Sequence, residues 1–256
     1  MIRNISLVGA GNLATQLGKA LKQAGLHINQ VYSRTQSSAQ TLATVLDCRY
    51  TIDLAQLEET DLIIVSVKDD ALEQVLDQLR HHAWVVHTAG SVPMKLLASY
   101  VGEYGVFYPL QTFSKKRDVD FTSIPICLEA STATFYDELH KLAGRLSETV
   151  RSINSEERKV LHLAAVFTCN FVNHFYHLGD SLLEERGMDF ELLQPLILET
   201  ALKVKDLKPS DAQTGPAVRF DETIINKHLQ LLADKPELQK IYSFVSESIY
   251  KTKNSN

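Results

Sequence analysis

The stretch ISLVGAGNLATQLGKALKQAG, residues 5–25, decides the fold. A short apolar run ends at Val8 and is followed by Gly9-Ala10-Gly11-Asn12-Leu13-Ala14, a GxGxxA turn. A stretch of helical period then runs to Gly25, a natural helix stop. Strand, glycine turn and helix in this order open a dinucleotide-binding βαβ unit. Gly9 permits the tight turn, and Gly11, with no Cβ, lets a pyrophosphate approach the backbone. Ala14 is small enough for the helix to pack on the strand. The first amides of the helix have no partner within it, and the helix dipole favours negative charge there. Gly9, Ala10, Gly11, Asn12 and Leu13 are therefore expected to bind the cofactor phosphates.

Outward from this turn, strands and helices alternate. Ile28–Ser33 reads as a second strand, followed by a helix through Ala39, Leu42, Ala43 and Leu46. Residues 61–67, DLIIVSV, form a near-continuous apolar run, as expected of a strand buried on both faces of a parallel sheet. Residues 69–80 read as helix. Residues 84–88, 105–108 and 124–128 read as further strands. The pattern predicts an α/β fold, a doubly wound, mostly parallel Rossmann sheet over residues 1–152. From Ser155 the character changes. A long helix is expected to about Glu185, with Ser155-Glu-Glu-Arg as its N-terminal cap. Helical stretches follow at 189–206, 221–233 and 235–251, with a loop at 207–216 and a frayed tail from Lys251. An all-helical domain over 153–256 is the expectation.

Composition narrows the function classes. The 256 residues are 45% hydrophobic and 22% charged, an ordinary globular balance. A net charge of −5 without a basic patch argues against nucleic acid as a partner. No apolar run approaches the ~20 residues needed to span a bilayer, and the chain starts directly on a strand, so neither membrane nor signal peptide is expected. Cys48, Cys127 and Cys169 are scattered and odd in number, which predicts a reducing cytoplasm rather than a disulfide framework.

The end of the second strand names the cofactor. NAD-binding units usually carry Asp or Glu there, to hold the ribose 2′-hydroxyl. This chain has Ser33-Arg34-Thr35. A carboxylate would repel a 2′-phosphate, whereas arginine pairs with one and the two hydroxyls can donate to it. NADP is the expected cofactor. Ligands sit beyond the carboxyl ends of the strands in such sheets. Val67 and Lys68, with His87, Ala89 and Gly90 from His87-Thr88-Ala89-Gly90-Ser91, are expected to flank its ribose and nicotinamide.

The long helix has two faces. Ala164, Phe167, Phe171, Phe175, Leu178 and Leu182 recur at helical spacing. Roughly opposite lie His162, Cys169, Asn173, His177 and Asp180, with Asn170 beside them. A reductase needs a proton donor near the carbon that receives hydride. His162 suits this, because imidazole titrates near working pH. Asn170 and Asn173 could orient the substrate, or could make bonds between helices or subunits. Tyr108, just past a strand, is a second candidate donor. Arg219, after the Gly215-Pro216 turn, could grip a substrate carboxylate or pair with Asp221 or Glu222. His174, His177 and Asp180 fan around the helix, so no metal is expected.

GAGNLA, HTAGS, YPLQTF, LHLAAVFTCNF and TGPAVRFD occur here in an order that resembles a family of Rossmann-like oxidoreductases with a helical C-terminal domain of unknown function. That family is similar to pyrroline-5-carboxylate reductases, ketopantoate reductases and 6-phosphogluconate-type dehydrogenases. The resemblance spans nearly the whole chain and implies an NADP-dependent enzyme whose helical domain forms a homodimer and closes the active site. Three departures stand out. Lys159 lacks the asparagine that ketopantoate reductases carry one turn later, since Leu163 occupies that position. Tyr108 stands where the family usually has histidine, and Phe220 where it usually has glycine. The expected activity is reduction of a small carbonyl or imine bearing a carboxylate. The alternative is an NADP(H)-binding sensor without turnover.

Overall fold

A computed structural model of the chain describes residues 1–79 and 84–254. Residue 80, at the end of the helix expected over 69–80, and residues 255–256 of the expected tail lie outside the described residues. The chain divides into two compact units, Met1–His174 and Phe175–Asn256.

The first unit is built on one sheet of eight strands: β1 (Asn4–Val8), β2 (His27–Tyr32), β3 (Arg49–Thr51), β4 (Leu62–Val65), β5 (Trp84–His87), β6 (Glu103–Pro109), β7 (Ile126–Ala130) and β8 (Val150–Ser152). Their order is β3-β2-β1-β4-β5-β6-β7-β8. Every neighbouring pair is parallel except β6 with β7. This is the doubly wound, mostly parallel sheet read from the sequence. The edge strands β3 and β8 were not foreseen; at three residues each they carry too little periodicity to read.

All four residues of β4 are buried. Leu62 and Ile64 pack into one core, Ile63 and Val65 into the other. That alternation into two cores is why the run reads apolar throughout. Helices α1 (Asn12–Gln23), α2 (Gln36–Leu46), α3 (Leu72–Leu79) and α4 (Ala133–Ala143) cover the sheet. Strand order reverses between β1 and β4, and the crevice opens at that switch point.

The long helix differs from the expected uninterrupted one. It runs as α5 (Ser155–Ala165), a π-helical turn Val166–Phe171, and α6 (Val172–Glu184). A π turn inserts a residue into the helical period and so shifts the phase of every side chain beyond it. Its cap is also different. Asn154, not Ser155, accepts from the Glu156 and Glu157 amides at 3.0 and 2.9 Å, and Glu157 reaches back to the Asn154 amide at 2.9 Å. This capping box frees Ser155 and Arg158 to turn inward. The unit boundary falls within α6.

In the second unit follow α7 (Gln194–Asp206), α8 (Pro209–Ala212), α9 (Pro216–Arg219), α10 (Glu222–Leu231) and α11 (Pro236–Asn254). The expected loop at 207–216 therefore holds a short helix, and the tail is helical to Asn254. Phe220 adopts φ 50°, a left-handed conformation that costs a bulky residue, and its ring packs on Tyr250 at 4.7 Å. Glycine, which the resemblance expects at this position, would adopt this conformation without that cost. Among the described residues no helix is long and apolar enough to cross a membrane.

Candidate active site

Gly9 sits directly after β1 with φ 116°, a conformation open to glycine alone at no cost, and a Cβ there would run into the Ser66 carbonyl. Gly11 is the N-cap of α1; nothing stands within 4 Å of where its Cβ would be, and no side chain caps the helix. The first amides of α1 are thus open to an anion. A cavity of about 400 Å³ starts here. Gly9, Ala10, Gly11, Ser33, Arg34, Val67 and Lys68 line it, whereas Asn12, Leu13, Thr35, His87, Ala89 and Gly90 do not. Ser38, on the first turn of α2, lines it too and was missed. Asn12 and Leu13 begin α1, and Thr35 is the N-cap of α2.

The loops after β4 and β5 are tied to each other. The Thr88 hydroxyl is 3.1 Å from that of Ser66, and Ser91 donates to Asp69. His87 is fully buried beneath its loop, and its Nδ1 accepts from the Ala89 amide at 3.1 Å. Burial, helped by the Arg158 guanidinium, lowers its pKa to about 3, so it is a neutral support for the loop. Gly90 has a specific neighbour. A Cβ there would stand 2.5 Å from His162 Nδ1. The close approach that glycine allows at this position is made by the imidazole on α5.

His162 is half-buried, and its Nδ1 is 3.1 Å from the Tyr108 hydroxyl at the end of β6. The two rings meet edge-on, with centroids 6.2 Å apart. Burial raises the Tyr108 pKa, which keeps the phenol protonated. A cavity of about 550 Å³ opens in front of the pair. Gln111, Thr112 and Phe113 form one wall, and the π turn supplies Thr168, Cys169 and Asn170. The first wall is held from behind by Gln16 of α1, which donates to the Ser114 and Arg117 carbonyls at 2.7 and 3.0 Å. His162, Tyr108 and Asn170 therefore converge. Asn173, beyond the π turn, does not line this cavity. Lys159 instead pairs with Glu156 on the surface at 2.8 Å. Arg219 lies in the second unit, on α9, next to Asp221, whose side chain caps α10 by accepting from the Ile224 amide at 3.2 Å. Among the described residues no group of His, Cys, Asp and Glu is arranged to hold a metal ion.

Comparison with known proteins fits this geometry. Residues 4–89 match the family model described as NADP oxidoreductase coenzyme F420-dependent. Residues 124–249 match a domain of unknown function, DUF2520. A candidate NADP oxidoreductase from Bacteroides fragilis is 49% identical over 98% of both chains, with a TM-score of 0.95. The chain belongs to this family of NADP oxidoreductases. Its fold is shared with a pyrroline-5-carboxylate reductase from Streptococcus pyogenes, 16% identical over 99% of this chain and 98% of that one, at a TM-score of 0.64. An imine reductase from Myxococcus stipitatus, solved with NADP+, is 17% identical over 98% and 93% of the two chains, also at 0.64. No curated protein matches the sequence.

NADP is the cofactor of this oxidoreductase family, and the cavity beside Gly9 fits it. The uncapped α1 amides suit the pyrophosphate, and Arg34 with Ser33 and Ser38 suits a 2′-phosphate. Gly90→Ala tests the second half of the site. The new methyl would push the imidazole off Tyr108, and a displacement of this size is expected to cost about 100-fold in turnover with NADPH affinity retained. A crystal structure showing the Tyr108–His162 bond intact in that variant would contradict this expectation.

Proposed function

We propose that the chain catalyses the NADPH-dependent reduction of a small imine or carbonyl compound in the cavity before Tyr108 and His162. The observation that carries the reading is the hydrogen bond between the Tyr108 hydroxyl and Nδ1 of a half-buried histidine, which leaves Nε2 for a substrate. When bound, the reduced cofactor supplies the hydride. His162 then supplies the proton. As imidazolium it carries N–H at both nitrogens: Nδ1–H is held by the Tyr108 oxygen, and Nε2–H passes its proton to the nitrogen or oxygen on which charge develops. The phenol can accept from Nδ1–H or donate to bare Nδ1, so it steadies the ring in either charge state. Asn170, which lines the same cavity, is assigned to substrate orientation. The test is a panel of cyclic imines and small ketones, with and without a carboxylate, scored by NADPH oxidation. A member that turns over supports the reductase. NADPH binding without turnover of any member favours the sensor reading instead.

We also propose a homodimer. Val160, Leu163, Phe167 and Phe171 follow one another at helical spacing, and all are exposed, Phe167 by 60%. A contiguous apolar stripe of this kind on a single chain marks an interaction surface. A second copy is the assigned occupant, since the stripe flanks the proposed site on the same helix. Light scattering after size exclusion should give twice the chain mass, and Phe167→Asp should give the chain mass. A wild-type monomer at micromolar concentration would overturn the proposal. The three cysteines are free thiols, which supports a reducing compartment such as the cytoplasm.

A further inference from the structure

One turn before His162, α5 buries a charge that the proton transfer does not use. Arg158 is 1% exposed, the largest of the fully buried side chains. A guanidinium is costly to bury unless it is paired and hydrogen-bonded. Here Nη1 is 2.6 Å from Glu129 Oε2 on β7. Nη2 donates to the Val92 carbonyl at 2.5 Å and to the Ser155 hydroxyl at 3.3 Å. That hydroxyl donates to the same Glu129 oxygen at 2.8 Å and accepts from the Met94 amide at 2.9 Å. One planar fork thus joins three parts of the unit: strand β7, the segment that follows Gly90, and the first turn of α5.

We infer that Arg158 and Glu129 are positioning residues that hold the Gly90 loop against α5, so that the His162 ring seats on Gly90 and meets Tyr108. The inference rests on the role given to His162 above. Plain adhesion between a loop and a helix is served as well, and often better, by apolar residues of similar volume. A fork with donors in fixed directions instead defines the position of both partners at once. The loop it grips also follows β5 at the cofactor end of the sheet, so a single group sets the nicotinamide side and the proton side of the site relative to each other. Lysine could not reproduce this, because its ammonium is one point of charge rather than two prongs.

The test uses the full chain, and its first readout needs no substrate. The Hα protons of Gly90 should give a strong nuclear Overhauser effect to the His162 ring in the wild type. In Arg158→Lys, which keeps the charge and the fold, this effect should be lost, while NADPH affinity is retained and kcat on any reduced substrate falls by about 10–100-fold. Glu129→Gln, which keeps an acceptor for Arg158, should retain part of the effect. Should Arg158→Lys lower Tm but leave the Gly90–His162 effect and kcat at wild-type values, the pair is only structural and the inference fails. His162→Gln reports separately on the role of His162, so failure of that reading is distinguishable from failure of this one.

Discussion

His162→Gln is expected to lower kcat by ~10²–10⁴-fold on whichever imine or ketone the protein reduces, with little change in NADPH binding. Glutamine approximates the length of histidine and can still bond to the Tyr108 hydroxyl, so the wall of the cavity should survive. What it lacks is a ring N–H acidic enough to be given up to the developing charge. The hydride acceptor would then develop its negative charge against an amide, without neutralisation. The loss should fall on kcat, because the missing interaction forms only as the charge develops. Tyr108→Phe should be milder than His162→Gln, since the phenol orients the ring but is not the assigned donor. Stopped-flow measurement of NADPH oxidation under single turnover would check both. Wild-type kcat in His162→Gln would remove the imidazole from the chemistry. A larger loss in Tyr108→Phe than in His162→Gln would move the donor to the phenol.

Arg34→Ala is expected to weaken NADPH binding by ~10–100-fold, the worth of about 1.5–3 kcal/mol for a hydrogen-bonded charge pair, while NADH binding stays the same. Arg34 lines the cavity at the end of β2 with Ser33 and Ser38, and among the described residues no Asp or Glu lines that cavity. Arginine can meet a 2′-phosphate with two parallel bonds, and the effect on NADH should be small because no phosphate is there to hold. Arg34→Glu should go further and reverse the preference, by repelling the phosphate and supplying a carboxylate that accepts a hydrogen bond from the 2′-hydroxyl. Calorimetric titration of both cofactors into the three proteins gives the comparison. Equal discrimination in wild type and Arg34→Ala would sink the assignment. Loss of discrimination in Lys68→Ala instead would hand the phosphate to Lys68, a second cation lining the same cavity.

Most of the cofactor half was legible because its signals are local. Gly9, Gly11 and the Ser33-Arg34-Thr35 strand end stand at fixed offsets from strands that their own composition declares. Ser38 escaped for a simple reason: it lies on the first turn of α2, where serine reads as an ordinary solvent-facing residue. In the other half the candidates are visible in the sequence without their relations. His162 and Tyr108 are 54 residues apart, and nothing in either motif says that they share a hydrogen bond. Gly90 was read as making room for the cofactor, whereas its neighbour is the His162 ring. The π turn was invisible because LHLAAVFTCNF has an apolar pattern compatible with plain α-helix; only the backbone shows the extra residue. Arg158 was taken for part of a helix cap. The Asn154-to-Glu157 spacing, a capping box starting one residue earlier, was the signal that could have released it.

From sequence alone come the Rossmann sheet, the glycine turn that lines the cavity after β1, and NADP as the cofactor. These depend on periodicity and on short motifs whose geometry is set within a few residues. The convergence of Tyr108, Gly90 and His162, and the buried fork of Arg158 behind them, were decided only by tertiary structure. They join β6, the β5 loop, β7 and α5, elements whose separation in the chain carries no record of their distance in space.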